Sequence, residues 1–450
     1  MRLTLIQPAM GHDGGHYVRS WQMEPLSIAT LASITPKGHE ITFIDDRLEP
    51  IPYDAPADLV AITVETYTAL RAYQIAAEYR ARDVKVVMGG YHPTLVPDEA
   101  ETHADAIVIG DAEYVWRELL ADAAKGTLAK RYVSRPNGTT VSAAPDRSIF
   151  AGKRYLPLGL VESGRGCRFA CDFCAVTAFS QAKYRTRSPV EVAQEIERAG
   201  YKRVFIVDDN LTADPARAKA LLRELAPLKI QWVSQASIHV ADDPEMLRLL
   251  EKSGCTLLLI GFESIDRDSL KAMNKTFNRG APGFDAAIGK LRGAGVKLYG
   301  TFVFGYDTDV PDVFERTLDF AMQQKLFLAA FNHLQPFPGT PLYRRFAEER
   351  RLLYDKWWLT PGYRFGTIAF KPKTMAPEAL FERLMGLRRR FYSYAGIFKR
   401  ATDFDANVRS VSSLGLHFIV NQMLRRELND KWQTPLGDAP RPAAVATAVA

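Results

Sequence analysis

The chain has 450 residues, 47% of them hydrophobic and 24% charged, with a formal net charge of +6 and only four cysteines. That length supports two or three domains, while the cysteine count excludes a disulfide framework and the dispersed basic residues exclude the dense stripe of a nucleic-acid binder. No run reaches the roughly 18 to 20 apolar residues of a spanning helix, and MRLTLIQPAMGHDGGHY lacks the features of a signal peptide, so the sequence predicts a cytoplasmic protein.

Residues 1 to about 125 alternate short apolar runs with helix-like segments. LTLIQP, ITFIDD, LVAITVET, VKVVMGG and AIVIGDAE are apolar runs closed by turn residues, and EPLSIATLASI and ALRAYQIAAEYRAR lie between them. Such alternation predicts a parallel sheet covered on both faces. Open sheets of this kind bind ligands at the carboxyl ends of their strands, where Thr63, Glu65, Thr66, Gly89, Gly90 and Gly110 fall. A first domain at 1–130 and a turn-rich linker at 131–155, including SRPNGTTVSAAPDRS, are expected.

From 156 to 340 the alternation resumes with a longer period. Ser188-Pro189, Asp214-Pro215 and Asp243-Pro244 each place a capping residue before a proline at the first helical position, and Ser188 with Glu191 matches a capping box. Gly200 and Gly254 mark helix ends. The strands between are LGLVES, RVFIVDD, IQWVSQASI, TLLLIGFES, KLYGTFVFG and AAFNHLQPF. Six strand–helix units predict a partial parallel barrel with its functional groups at the carboxyl ends of the strands.

Beyond LQPFPGTPLY the strand pattern stops, which predicts a helical domain at 341–435 and a disordered tail at 436–450. Trp357, Trp358, Phe391, Tyr392, Tyr394 and Phe398 could face a substrate, but packing in the helical domain's own core is the expected role. SLGLHFIVNQMLRREL is amphipathic with basic ends, which admits a peripheral membrane contact.

Three of the four cysteines, Cys167, Cys171 and Cys174, stand in GRGCRFACDFCAV, in the loop after the first barrel strand. Four-sulfur sites hold zinc or iron–sulfur clusters, but Cys255 opens the fourth barrel strand and lies at the wrong end to join them. Three thiolates on a four-iron cluster leave one iron open to an exogenous chelating ligand. With CxxxCxxC at this place in the fold, the chain resembles the radical SAM enzymes. The resemblance implies a 4Fe–4S cluster on Cys167, Cys171 and Cys174, with S-adenosylmethionine on the fourth iron and a 5′-deoxyadenosyl radical formed by one-electron cleavage.

The same resemblance carries other positions onto S-adenosylmethionine. These are Phe173 beside the third cysteine, and Asp208 and Asp209 in VDDN, where the family has a Gly-Gly-Glu-like stretch. Ser234 and Gln235 end the third strand, and Glu263 and Ser264 in GFES end the fourth. Gly300 and Gly305 lie in GTFVFGYDTD on the fifth strand, and Phe337 in PFPGTPLY at the sixth.

In front of such a barrel, GGYHPT and GDAE resemble the cobalamin-binding radical SAM enzymes, and the likeness covers nearly the whole chain. It implies a Rossmann-like domain holding the corrin over the barrel mouth, with Thr63, Thr66, Gly89, Gly90, Tyr91, His92 and Gly110 near the corrin or its nucleotide tail. GHDGGHY does not fit the Asp-x-His-x-x-Gly motif that ligates cobalt in many cobalamin domains, so His12 and His16 are expected to be loop histidines. The radical SAM methylases characteristically lack that histidine.

The expectation is therefore an α/β chain with three parts: a cobalamin-binding domain, a (β/α)6 partial barrel and a mainly helical C-terminal domain. The implied activity is methylation of an unactivated carbon of a small molecule or lipid, with flavodoxin or ferredoxin as reductant. Two alternatives stay open. A radical cyclisation or ring rearrangement would form no S-adenosylhomocysteine, and a non-catalytic iron–sulfur or zinc protein would need a fourth internal ligand.

Overall fold

The computed structural model describes residues 1–11, 22–136, 144–275, 278 and 283–438. His12, His16 and the tail from 439 lie outside the described residues.

Six parallel strands form the first sheet: β1 (Arg2–Gln7), β2 (Glu40–Asp45), β3 (Leu59–Thr63), β4 (Lys85–Gly89), β5 (Ala106–Ile109) and β6 (Arg131–Val133), in the order β2-β1-β3-β4-β5-β6. The strands are apolar along their length because both faces are covered. Leu3, Leu5, Leu59 and Val87 pack with Ile28, Trp116 and Leu119 on one face. Ile6, Val60, Ile62 and Met88 pack with Ala72, Ile75 and Tyr79 on the other. The strand order reverses between β1 and β3, which opens a crevice at their carboxyl ends.

The described parts of the segment expected to be a linker carry secondary structure. Arg131–Val133 pairs with β5 as the sheet's sixth strand, and Phe150 meets Phe43 edge-on at 5.6 Å between ring centres. The turn residues of this stretch masked a strand only three residues long.

The second sheet contains β7 (Gly159–Val161), β10 (Arg203–Ile206), β11 (Gln231–Ala236), β12 (Cys255–Glu263), β13 (Lys297–Phe304) and β14 (Leu328–His333), all parallel and in consecutive order from β7 to β14. With helices between successive strands it forms the six-stranded partial barrel. Asp214 and Asp243 cap the helices that follow them, accepting hydrogen bonds from Arg217 N at 3.1 Å and from Glu245 N at 2.9 Å. Ser188 makes no side-chain cap bond, so its capping box is not formed. Gly200 and Gly254 end their helices in the left-handed conformation. A short antiparallel hairpin, β8 (Gly164–Gly166) and β9 (Tyr184–Thr186), was not foreseen; it closes the neck of the cysteine loop.

The C-terminal region is not a separate globule. Trp357, Trp358 and Leu436 complete the core of the first sheet, whereas Leu380, Leu384, Phe391 and Tyr392 complete that of the barrel. Tyr394 and Phe398 are exposed, contrary to the expected core role. The expected tail begins too early: Leu436 is buried, and Asp438 pairs with Arg71 on the helix Ala69–Arg80. Among the described residues, no helix is long and apolar enough to cross a membrane.

Candidate active site at the mouth of the barrel

The cysteine loop runs from Gly166 to the helix Ala175–Ser180 and is anchored on several sides. Tyr306 Oη donates to Asp172 Oδ1 at 2.7 Å, Asn274 Nδ2 to Ala170 O at 2.8 Å, and Leu342 N to Asp172 O at 3.0 Å. At its neck Gly166 has φ +84°, and a Cβ there would stand 2.2 Å from Lys183 O, so only glycine fits.

Cys171 is buried and Cys167 and Cys174 half-buried; all three are free. Burial pushes the Cys171 thiol up to about 12, the nearby Lys275 ammonium opposing it, and burial also raises Cys174. Among the described residues, no three His, Cys, Asp or Glu side chains could share one metal ion. Sulfurs that bind separate irons of a cluster need not share one. Cys255 is buried at the opposite end, where β12 begins beside Trp232.

Side chains alternate along each barrel strand between the lumen and the surrounding helices, and this parity sorts the positions assigned to S-adenosylmethionine. Gln235 and Glu263 lie on the lumen parity. Ser234 is buried on the helix side and donates to Ile206 O at 2.7 Å. Gly300 shares that side: an added Cβ would strike Leu326 and Phe262. Gly305, at φ +106°, packs beneath Phe370 and Leu380. Ser234 thus spends its hydroxyl inside the fold, and Gly300 and Gly305 have packing neighbours on the helix side, features that strand position without parity could not supply.

Asp208 is fully buried and accepts from Ser163 N at 2.7 Å, Ser163 Oγ at 2.6 Å and Gly164 N at 2.9 Å. Burial raises its pKa to about 6 against those bonds. Those three bonds tie its carboxylate to the turn before the cysteine loop. Asp209 accepts from Gly166 N at 2.8 Å and lines a cavity. Ser264 is buried and accepts from Asp266 N at 3.0 Å.

Two residues at the mouth were missed, Asn210 and Lys275. Asn210 Nδ2 lies 3.9 Å from Cys167 Sγ and donates to Ser237 Oγ at 2.9 Å. Lys275 Nζ pairs with Glu263 Oε1 at 2.6 Å, both side chains almost fully buried. Glu263 has φ +59°, beside a register shift in β12 that swings its carboxylate toward Lys275. Asn210 stood within VDDN, but nothing local marked Lys275, which reaches the site across 12 residues of chain.

Two cavities flank the loop. One, of about 460 Å³, is walled by Tyr67, Phe173, Tyr299, His333, Phe337 and Trp432. Burial holds His333 down to about 4, so its imidazole is neutral at pH 7. The other, of about 310 Å³, runs from Ile28, Ala61, Val87 and Trp116 inside the first sheet's cover out to Asp209 at the barrel.

Thr63, Gly89, Gly90, Tyr91 and Gly110 line that second cavity. Gly90 has φ +106°, and a Cβ would sit 2.9 Å from Val64 O. Thr66 and His92 do not line it. They face each other inside the fold, His92 Nδ1 lying 3.4 Å from Thr66 Oγ1 and His92 Nε2 3.1 Å from Glu99 Oε1. Glu65, expected at the ligand-binding ends of the strands, lines the cavity, and enclosure raises its carboxyl pKa.

Arg165 on β8 joins the halves. It bonds Asp111, Glu113 and Glu162, each at 2.8 Å, and Arg185 on β9 also pairs with Asp111. Arg165→Met strands these carboxylates in a low-dielectric seam. It is expected to lower unfolding free energy by about 3–5 kcal/mol, measured by anaerobic denaturant titration.

Residues 161–321 match the radical SAM superfamily, and residues 20–120 the B12 binding domain. The chain is 33% identical over 389 residues to the bacteriochlorophyllide d C-12(1)-methyltransferase of Chlorobaculum tepidum, covering 84% of each protein. It belongs to the cobalamin-dependent radical SAM methylases. A second methylase of that organism, the bacteriochlorophyllide d C-8(2)-methyltransferase, is 31% identical over 74% of this chain and 78% of its own. The hopanoid C-2 methylase of Rhodopseudomonas palustris is 26% identical over 74% of this chain and 66% of its own. The radical S-adenosylmethionine methyltransferase TsrM from Kitasatospora setae, solved with cobalamin and a 4Fe–4S cluster bound, has the same fold: TM-score 0.66 at 17% identity, over 95% of this chain and 99% of that one.

A methylase of this family uses a 4Fe–4S cluster, S-adenosylmethionine and cobalamin. The features here fit those groups: three free thiols in one anchored loop, and a slot floored by glycines, apolar at its inner end and polar toward the barrel, that leads from the Rossmann interior to the barrel mouth.

Proposed function

We propose that Cys167, Cys171 and Cys174 hold the 4Fe–4S cluster, that the slot at Gly89, Gly90 and Gly110 receives cobalamin, and that the cavity beside Phe173 receives the substrate. When bound, these groups supply one electron to S-adenosylmethionine, a radical able to remove a hydrogen atom, and a methyl group for the resulting carbon radical.

The chain's own residues position and enclose. Lys275, paired with Glu263, sets its ammonium near Cys171, where it opposes the burial that raises the thiol. Asn210 offers an N–H toward Cys167, the kind of contact that tunes a cluster's potential. Gln235, in the lumen beside Asp208, and Asp209, in the seam, are the remaining candidates for polar contacts to S-adenosylmethionine.

The substrate we assign is a flat, largely apolar ring system of the tetrapyrrole class, methylated on an alkyl substituent. The observation that carries this is the aromatic wall of Tyr67, Phe173, Tyr299, Phe337 and Trp432 around about 460 Å³, within the usual size of small-molecule sites. The two relatives above 30% identity act on bacteriochlorophyllide d, which supports the class. The net charge of +6 suits an acidic one-electron carrier of the flavodoxin or ferredoxin type, and free thiols suit the reducing cytoplasm.

The test is anaerobic turnover of the reconstituted enzyme with dithionite and a panel of chlorins and polycyclic lipids. Methylated chlorin, with S-adenosylhomocysteine and 5′-deoxyadenosine formed together, is the expected result. Deoxyadenosine without S-adenosylhomocysteine would favour cyclisation or rearrangement, and methylation confined to the lipids would overturn the substrate class.

A further inference from the structure

The last helix, Val411–Lys431, buries polar groups and exposes apolar ones. On its inner side His417 and Asn421 are fully buried, beside Val420 and Leu424 on the barrel core. Asn421 Oδ1 accepts from Arg400 Nη2 at 3.0 Å, and His417 Nε2 lies 3.1 Å from Ile397 O. Arg400, itself buried, also donates to the carbonyls of Leu326, Phe327 and Phe391. This network fixes the helix's rotation, since turning it would orphan several buried polar groups at about 1–3 kcal/mol each. The apolar side is therefore held outward, with Val411 88% exposed and Ile419 60%.

The neighbouring segment adds to that surface. Elsewhere among the described residues, large exposed apolar side chains occur singly, at Val133, Val190, Val310 and Leu353. All the others fall within 394–419, among them Tyr394, Phe398, Phe404 (72% exposed) and Leu416. The helix Tyr394–Arg400 shares the face, with Phe398 5.1 Å from Phe418 between ring centres. A cluster of this kind marks an interaction surface.

Its border is basic. Arg389, Lys399, Arg409 and Arg426 are exposed, and Arg425 lies over the Tyr394 ring. The acidic residues between them, Asp403 and Asp405, both face Arg292, at 2.7 and 3.7 Å. A two-fold contact between copies would set this positive border against itself. An apolar face with a cationic rim instead complements a bilayer with anionic headgroups. The far half of the same helix supplies Leu424 and Glu427 to the wall of the aromatic cavity.

We propose that the outer face of Tyr394–Arg400 and Val411–Lys431 docks in the plane of an anionic lipid bilayer, setting the aromatic cavity beside the membrane surface. The docking itself does not depend on the substrate assignment, because binding to vesicles needs no substrate.

The test is flotation of the anaerobically purified holoenzyme with vesicles of phosphatidylcholine alone or with one quarter phosphatidylglycerol. Flotation on the anionic vesicles, weakened by salt and at least about tenfold stronger than on the neutral ones, is expected. The triple variant Phe404→Ser, Leu416→Ser, Ile419→Ser should lose at least about tenfold in binding while keeping wild-type iron content and thermal melting. Arg409→Ala with Arg426→Ala provides a second variant that leaves the apolar face intact; it should flatten the salt dependence. Absent flotation, unchanged binding in both variants, or a dimer in size-exclusion chromatography that the triple variant dissociates would overturn the proposal, the last in favour of a second copy. None of these outcomes would alter the turnover products by which the methylation and substrate readings are judged.

Discussion

Replacing any one of Cys167, Cys171 and Cys174 by alanine is expected to bring 5′-deoxyadenosine formation to background and to lower bound iron and sulfide sharply after anaerobic reconstitution. The three thiols are the only cysteines of one anchored loop, so no spare thiolate can take over a lost corner. Cys255→Ala is the control. Its thiol is buried where β12 begins, far from the loop that follows β7, so the variant should keep its iron, its broad cluster absorbance and its deoxyadenosine yield. The cost should be confined to stability, roughly 1 kcal/mol or less for a near-isosteric change in a packed site. Iron loss in Cys255→Ala comparable to that in Cys174→Ala would show that the cluster is held by a different set of sulfurs.

Filling the glycine-floored slot should separate the two halves of the chemistry. Gly89 has an ordinary backbone conformation, and a Cβ there meets only Val108, at 3.5 Å. Gly89→Leu can therefore fold while its side chain intrudes on the space lined by Thr63, Tyr91 and Gly110. The expected result is a fall of at least about a hundredfold in cobalamin affinity, equivalent to about 2.7 kcal/mol, measured by absorbance titration. Methyl transfer should fall with it, whereas iron content and reductive cleavage of S-adenosylmethionine persist. Gly90→Ala would be a poorer probe. Its positive φ and the 2.9 Å approach to Val64 O mix backbone strain with ligand exclusion. A Gly89→Leu protein that retained cobalamin at wild-type affinity would remove this slot as its site.

Much of the fold was legible because parallel strands buried on both faces are written as continuous apolar runs. LVAIT and KVVMG are strands for that reason. Asp214 and Asp243 announced their helices through a local hydrogen bond that needs only the next turn. The cysteine loop was equally plain, since its spacing is local. Parity was not. Gln235 sits near the carboxyl end of its strand and Gly300 in the middle of its own, one on the lumen side and the other against Leu326 and Phe262, and a bulge such as that at Glu263 shifts the count. Partners distant in sequence were also hidden. His92 looked like a ligand residue in GGYHPT until the fold placed Glu99, Tyr73 and Trp358 around it. Lys275 and the Arg165 cluster depend in the same way on contacts that no window of sequence contains.

The route by which the end of the chain returns to its beginning bears on how the molecule is made. Trp357, Trp358 and Leu436 belong to the same core as Ile75 and Tyr79, with Trp357 against Tyr67 and Trp358 against His92 and Glu99, and Asp438 reaches Arg71. A ribosome that has released the first sheet has released it with that core incomplete, and must add more than two hundred residues before Trp357 and Trp358 arrive and some three hundred before Leu436 does. Until then the nascent half carries a sticky flank that invites aggregation or a chaperone. An expression clone cut after β6 would inherit the same uncovered flank, and the slot in its interior would have to form without the packing that braces the sheet from behind.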